Sequence, residues 1–363
     1  MNLKALKSGL AGSLASLALI TLSTNALAAA TSDPAINWKP AGDKNCNLSF
    51  IISHDPDKEP ATGYKPAFFY GGGGWRQSDA IGISEGSVAA LVDAGYIVYS
   101  SDYRAVESEN TLSHPCTKTT RDQQFNDVQQ AFTLAIMHAN WGEYDVDLAQ
   151  GFVLSGHSAG GHLAMSLGRY GSQWVRDHIR AIVPVNAPLN VMYDHWMLNG
   201  NNPNVLGAGD FDFGTVNVTT GLGESIALDQ WQDYYNDTGT DNCSSTGTFP
   251  NLTLSGTDCY SNNVDSATVA FLWDNSFIWH NDPMSPIFYI TSALDWMVAP
   301  EPTLQICEWH GPISNQSQVG NTLFGDCGTT LNRMAVLTTS SHSGYDASFW
   351  STVLTWAESS ALD

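Results

Sequence analysis

One segment restricts the possible folds more than any other. The apolar run Phe152-Val153-Leu154-Ser155 leads straight into Gly156-His157-Ser158-Ala159-Gly160-Gly161-His162. A strand, a serine flanked by glycines two places either side, and a small-residue helix start follow one another without a spacer. A serine hydroxyl is a weak nucleophile at neutral pH, so a serine that attacks must stand on a tight turn beside a base. Glycines at 156 and 160 are small enough to let that strained strand-to-helix turn form. The helix that follows aims its first amides, that of Ala159 among them, at the place where negative charge develops in acyl transfer. An ordinary glycine turn explains the glycines but not the strand before them or the helix after. Ser158 is the candidate nucleophile.

Runs of strand length recur along the chain: Leu48–Ser53, Ala67–Tyr70, Tyr96–Ser101, Phe152–Ser155, Ala181–Val185, Ile287–Thr291 and Met334–Thr338. They are near-continuously apolar rather than alternating, as expected of strands covered on both faces. Between them lie helical patterns at Glu85–Ala94, Asp122–Ala139 and Ala159–Tyr170. This alternation predicts right-handed βαβ units and an α/β chain built on a mostly parallel sheet.

The predicted strand Ala67–Tyr70 ends in Gly71-Gly72-Gly73-Gly74-Trp75. Four glycines lose much chain entropy on ordering, so they are expected where backbone must approach something closely. Backbone amides here, Gly72 and Gly73 among them, together with that of Ala159, would form an oxyanion hole worth roughly 3 kcal/mol per donor. A phosphate loop would need Lys-Ser/Thr to follow, and the chain continues Trp75-Arg76 instead.

A triad on this layout needs an acid and then a histidine downstream of the serine. The strand Ile287–Thr291 runs out into Ser292-Ala293-Leu294-Asp295-Trp296-Met297-Val298, and the last strand into Thr339-Ser340-Ser341-His342. Asp295 is the candidate acid and His342 the candidate base that shuttles the serine proton. Asp346 and Glu301 are the alternative acids, and His157, His162, His280 and His310 the competing histidines. Trp75, His157 and Trp296 adjoin the chemistry and are the candidate substrate-pocket residues.

From 189 to 282 the βαβ rhythm fails, in a stretch rich in Gly, Asn, Asp, Thr and aromatics such as Trp196, Trp231 and Trp273. It reads as a cap- or lid-like insertion before the strand that leads to Asp295. Most of its aromatics would be its own core. The acidic Asp210-Phe211-Asp212 invites a calcium ion, but such loops are mostly just solvated.

Six cysteines, an even count, read as disulfides. The spacings suggest the local pairs Cys243–Cys259 and Cys307–Cys327, which leaves Cys46–Cys116. No Cys/His cluster with metal spacing occurs, so no metal is expected. Export is consistent with disulfides. Lys4 and Lys7 precede an Ala/Leu-rich run that ends in Ala26-Leu27-Ala28, the layout of a signal peptide over residues 1–28. The expectation is a secreted or periplasmic protein with a catalytic domain at 29–363 and no stable membrane anchor. With 14 Lys+Arg against 36 Asp+Glu the net charge is −22, which repels nucleic acid and anionic lipid.

Taken together, Gly71-Gly72-Gly73-Gly74-Trp75, Ser101-Asp102-Tyr103-Arg104, Asn126-Asp127-Val128, the Gly156–His162 turn, Asp295 with Val298, and the His342 loop resemble the hormone-sensitive-lipase-like and feruloyl-esterase-like carboxylesterases of the α/β-hydrolase superfamily. The resemblance spans roughly residues 60–190 and 285–345. It implies a doubly wound, mostly parallel sheet flanked by helices, and ester hydrolysis through an acyl-enzyme without a cofactor. Carried over, Ser158, Asp295 and His342 look like the triad, and Gly72, Gly73 and Ala159 like the oxyanion donors. The family's usual His-Gly-Gly-Gly stands here as Gly71-Gly72-Gly73-Gly74, so its bracing histidine is missing. The leading expectation is a secreted esterase acting on small-molecule or carbohydrate-linked esters. The alternatives are an amide or formamide hydrolase similar to kynurenine formamidase, and a non-catalytic binding member of the fold.

Overall fold

Strand residues of this chain sort alternately onto two faces, and that sorting builds the domain. In β4 (Lys65–Tyr70), Phe68 and Tyr70 enter one apolar core while Ala67 and Phe69 enter the other. The same split recurs in β6 (Phe152–His157), where Leu154 points one way and Val153 the other. A strand needs an apolar partner on each face for this, which is why its sequence reads as continuous apolar residues. The computed structural model describes residues 31–75, 85–104, 116, 119–189, 210–212, 217–219, 244–246, 253–255, 277, 284–293, 295, 298, 300–328, 331–342, 345 and 347–359.

Among these residues the central sheet has 11 strands. Its parallel middle runs β5 (Tyr96–Ser101), β4, β6, β7 (Ile179–Val185), β12 (Phe288–Ser292) and β15 (Arg333–Leu337). Antiparallel strands finish both sides. On one side stand β3 (Leu48–His54), with β1 (Thr31–Ser32) and β2 (Ile36–Trp38) against it. On the other lies the hairpin of β13 (Ile313–Val319) and β14 (Thr322–Cys327). The sequence reading placed no strand between Cys307 and Cys327. β13 escaped it because it is mostly exposed and polar, so no apolar pattern marks it, while β14 is buried but has only a short apolar run.

Helices cover both faces. Helix α2 (Arg121–Asn140) starts in a capping box between Thr120 and Gln123 and buries Val128, Ala131, Phe132, Ala135 and Ile136 at helical spacing. It shares its face with α3 (Ala159–Tyr170), which is separated from β7 by the short α4 (Gln173–Arg176). On the opposite face, α1 (Glu85–Asp93) supplies Val88 and Leu91, and the C-terminal α6 (Trp350–Ala357) supplies Trp350 and Val353. α5 (Glu301–His310) packs Leu304 and Ile306 with the first group. This is the doubly wound α/β architecture that the resemblance implied.

The connection after β4 runs to one face and that after β6 to the other, although the two strands are neighbours. Such a switch point opens a crevice at the carboxyl ends of the strands, where α/β proteins bind ligands. The glycine loop leaves β4 and the Ser158 turn leaves β6 on that rim.

Within the stretch read as an insertion, two antiparallel pairs are described. One joins β8 (Asp210–Asp212) and β9 (Asn217–Thr219), the other β10 (Ser244–Thr246) and β11 (Thr253–Ser255). Disulfides join Cys46 to Cys116 and Cys307 to Cys327. The expected Cys243–Cys259 pair lies outside the described residues, as does the expected signal peptide at 1–28. Among the described residues no helix is long and apolar enough to cross a membrane.

Candidate active site

Ser158 sits between the last residue of β6 and the first of α3 with φ 54 and ψ −126, a conformation that non-glycine residues seldom hold. The surrounding glycines permit it. A side chain on Gly156 would collide with the Gly160 carbonyl and stand 2.8 Å from the Gly161 amide. One on Gly160 would strike the carbonyl oxygens of Tyr70 and Gly71. The start of α3 is thus pressed directly onto the end of β4. One on Gly161 would lie 2.7 Å from the Ala187 methyl, so the third glycine fits the helix against the strand β7 exit.

The glycine loop then passes over the serine. A Cβ on Gly72 would come within 2.9 Å of His157 Nδ1 and 3.2 Å of Ser158 Cβ. Gly73 and Gly74 have φ of 136 and 58, which glycine adopts without the penalty a Cβ brings. Ala159, the third expected oxyanion donor, is fully buried at the first position of α3.

In place of the absent bracing histidine, side chains from behind hold this loop. Tyr103 donates its hydroxyl to the Gly71 carbonyl at 3.0 Å. Gln124 donates to the carbonyls of both Trp75 (3.0 Å) and Arg104 (2.9 Å). Arg104 is itself locked to Asp127 by two side-chain bonds of 2.8 and 2.7 Å and a backbone bond of 3.1 Å. Burial pushes the Asp127 carboxyl up, and the Arg104 guanidinium opposes that. In the sequence reading Tyr103, Arg104 and Asp127 carried only the resemblance, and Gln124 carried nothing. An acid and a base 23 residues apart give no sign that they meet.

Asp295 and His342 come together across neighbouring strands. His342 Nδ1 lies 2.7 Å from Asp295 Oδ2, and Asp295 Oδ1 accepts from the Val298 amide at 2.9 Å. The carboxylate is fully buried and the histidine nearly so. With a carboxylate on Nδ1, the imidazole keeps its proton there and leaves the Nε2 lone pair available. The His342 carbonyl accepts from His157 Nε2 at 2.7 Å and from Asn186 Nδ2 at 2.8 Å. Because a carbonyl can only accept, His157 carries its proton on Nε2. Burial pushes the His157 pKa down to about 3, helped by the neighbouring His342 charge and opposed by the bond to the His342 carbonyl. Asn186 was missed by the sequence reading; its one signal is a polar residue placed directly after a buried strand.

The remaining candidates fall elsewhere. Trp75 is fully buried with its ring edge-on to His162, 5.3 Å between centroids. His162 in turn meets Phe277 at 5.4 Å, and Phe277 donates its amide to the Leu189 carbonyl. His310 closes α5 and bonds the Tyr289 hydroxyl at 3.1 Å, with burial lowering its pKa. Trp296, His280 and Asp346 lie outside the described residues.

Residues 56–187 match the BD-FAE family model. No curated protein matches the chain. Among solved structures, the chain is similar to a fungal esterase from Rhizomucor miehei, at 13% identity, a TM-score of 0.51, and 90% of this chain and 82% of that one covered. Esterase 2 of the Planctomycetes species Thermogutta terrifontis gives 16% identity and a TM-score of 0.51 over 92% of this chain and 91% of its own. Vibralactone cyclase gives 13% identity and 0.50 over 91% and 80%. The BD-FAE match over residues 56–187 takes in the glycine loop and the Ser158 turn, and the solved structures share the fold of this chain.

Proposed function

We propose that this protein is a secreted serine hydrolase that cleaves carboxylic esters, short-chain or carbohydrate-linked, through Ser158, His342 and Asp295. The observation that carries the reading is the 2.7 Å bond between His342 and Asp295, made on the same rim as the strained Ser158 turn. His342 Nε2 takes the Ser158 proton as Oγ attacks the ester carbonyl. Asp295, fully buried against His342 Nδ1, holds the tautomer and stabilises the imidazolium that forms. The oxyanion is received by the Ala159 amide and by amides of Gly72 and Gly73, whose loop lies against the serine. His342 then gives its proton to the departing alcohol, leaving an acyl-Ser158. Water, deprotonated by the same imidazole, releases the acid and restores the serine.

The BD-FAE match and the esterase neighbours support the ester as substrate class. Two disulfides support an oxidising compartment, and with it the removal of residues 1–28 on export. Residues 189–282 are proposed to cap the catalytic domain 29–363. The contact of Phe277 with His162, directly behind the serine turn, favours that placement.

Hydrolysis of p-nitrophenyl acetate, butyrate and decanoate by the purified protein, beside Ser158→Ala, tests the reading. Hydrolysis that disappears in the variant is expected, and the chain-length profile sizes the acyl pocket. Folded protein that leaves all three esters intact overturns it, and cleavage of aryl formamides instead would move the assignment to amide chemistry.

A further inference from the structure

We propose that His157 and Asn186 are positioning residues for His342, gripping its main-chain carbonyl and thereby setting the placement of the imidazole toward Ser158. The inference rests on the reading of His342 as the base. His342 stands in the loop after β15, where no strand ladder holds it. Its carbonyl oxygen has two lone pairs, and the two donors at 2.7 and 2.8 Å use both.

Both donors are mounted on the sheet. His157 is the last residue of β6, adjacent to the serine it serves. Asn186 follows β7 directly and donates its own amide to Ile290 of β12 at 2.8 Å. Its φ of 48 is one that asparagine tolerates better than most residues. The base is therefore tied to the strand that carries the nucleophile and to the strand that leads to the acid.

His157 also meets the glycine loop. Its ring is fully buried, and Nδ1 faces Gly72 without a hydrogen-bond partner. A buried nitrogen left unpaired is costly to the fold, and an apolar ring of the same size would avoid that cost. The imidazole is worth keeping for its other nitrogen, the one that holds His342. The single ring spaces the oxyanion loop from the base loop.

The test compares His157→Phe, which keeps a ring but removes the donor, with His157→Gln, whose amide nitrogen reaches the Nε2 position. On p-nitrophenyl butyrate, His157→Phe is expected to lose roughly 10- to 100-fold in kcat, the scale of a small misplacement of a reacting group. KM should stay within about twofold, since substrate binding is untouched. His157→Gln should recover most of kcat. Equal losses in the two variants, or a loss carried by KM, overturn the proposal. If His157→Phe does not fold, His157→Gln decides alone: a large kcat loss at unchanged melting temperature rejects the role. If the wild type hydrolyses no ester, the functional reading fails separately, and positioning is read from the low-field N–H proton resonance of His342. That resonance must shift in His157→Phe and return in His157→Gln; if it stays unmoved, the proposal falls.

Discussion

Gly160 packs so closely on the Tyr70 carbonyl that ends β4 that a Cβ on the glycine would lie 2.7 Å from the Tyr70 carbonyl carbon. The serine turn and the glycine loop are held in register by that contact. In Gly160→Ala the methyl has only backbone to push against, so the turn must open. The expected result is loss of ester hydrolysis together with a fall in stability of roughly 1–3 kcal/mol, the usual cost of overpacking. Urea unfolding followed by tryptophan fluorescence measures the second, and a fully active Gly160→Ala would refute the contact's importance.

Asp295→Asn keeps shape and removes charge. The amide can donate to His342 Nδ1, which moves the imidazole proton to Nε2 and blocks it from accepting the serine proton. A drop of roughly 10⁴-fold in kcat is expected, with little change in folding. Steady-state kinetics on an activated ester checks this, and retention of more than a tenth of the wild-type rate would exclude Asp295 as the orienting acid.

His157 makes stability fall in acid. Its folded pKa is about 3 against an ordinary 6.5. Between those values the unfolded chain binds a proton that the folded one refuses, so stability is complete above pH 6.5 and declines as pH drops toward 3. The slope from this one group is roughly 1.4 kcal/mol per pH unit. Carboxylates act alongside it, so the informative quantity is the difference between wild type and His157→Phe. Unfolding free energies at pH 7, 6, 5 and 4 should fall less steeply in the variant, and parallel curves would show that His157 takes up a proton in the folded state.

The two disulfides among the described residues close loops of unequal length, 70 residues for Cys46–Cys116 and 20 for Cys307–Cys327. The chain-entropy argument gives roughly 4 and 3 kcal/mol. Paired Cys→Ala replacement should therefore destabilise more at Cys46/Cys116, by about 1 kcal/mol. Guanidinium titrations of both double variants decide it, and the reverse order would point to strain or residual structure outweighing loop entropy.

The strands of the parallel middle were legible because burial on two faces forces an unbroken apolar run, as in Tyr96–Ser101 and Phe152–His157. The Gly156–Gly160 spacing announced the turn because the backbone there leaves no space for a Cβ. What stayed hidden was of two kinds. β1, β2 and β13 are short or solvent-facing and carry no apolar period. The braces of the site, namely Gln124 on Trp75, Tyr103 on Gly71 and Asn186 on His342, join residues distant in the chain through single polar contacts. A hydrogen bond of that kind leaves no periodicity to read. Trp75, a candidate pocket residue because it adjoins the chemistry, is fully buried with a φ of 60, a setting its sequence neighbours did not reveal.

The two flanks of the sheet have a consequence for how this chain behaves among its own copies. An exposed strand margin offers unpaired amides and carbonyls to any passing chain and can seed aggregation. Here, among the described residues, one margin ends in the two-residue β1, too short to template a partner. The other ends in β13, whose Ser314–Ser317 irregularity breaks the ladder and whose Asn315, Ser317 and Gln318 stand in solvent. A wide, largely apolar sheet thus finishes on both sides in strands that discourage stacking. A net charge of −22 adds mutual repulsion between copies, acting in the same direction as the two blunted margins.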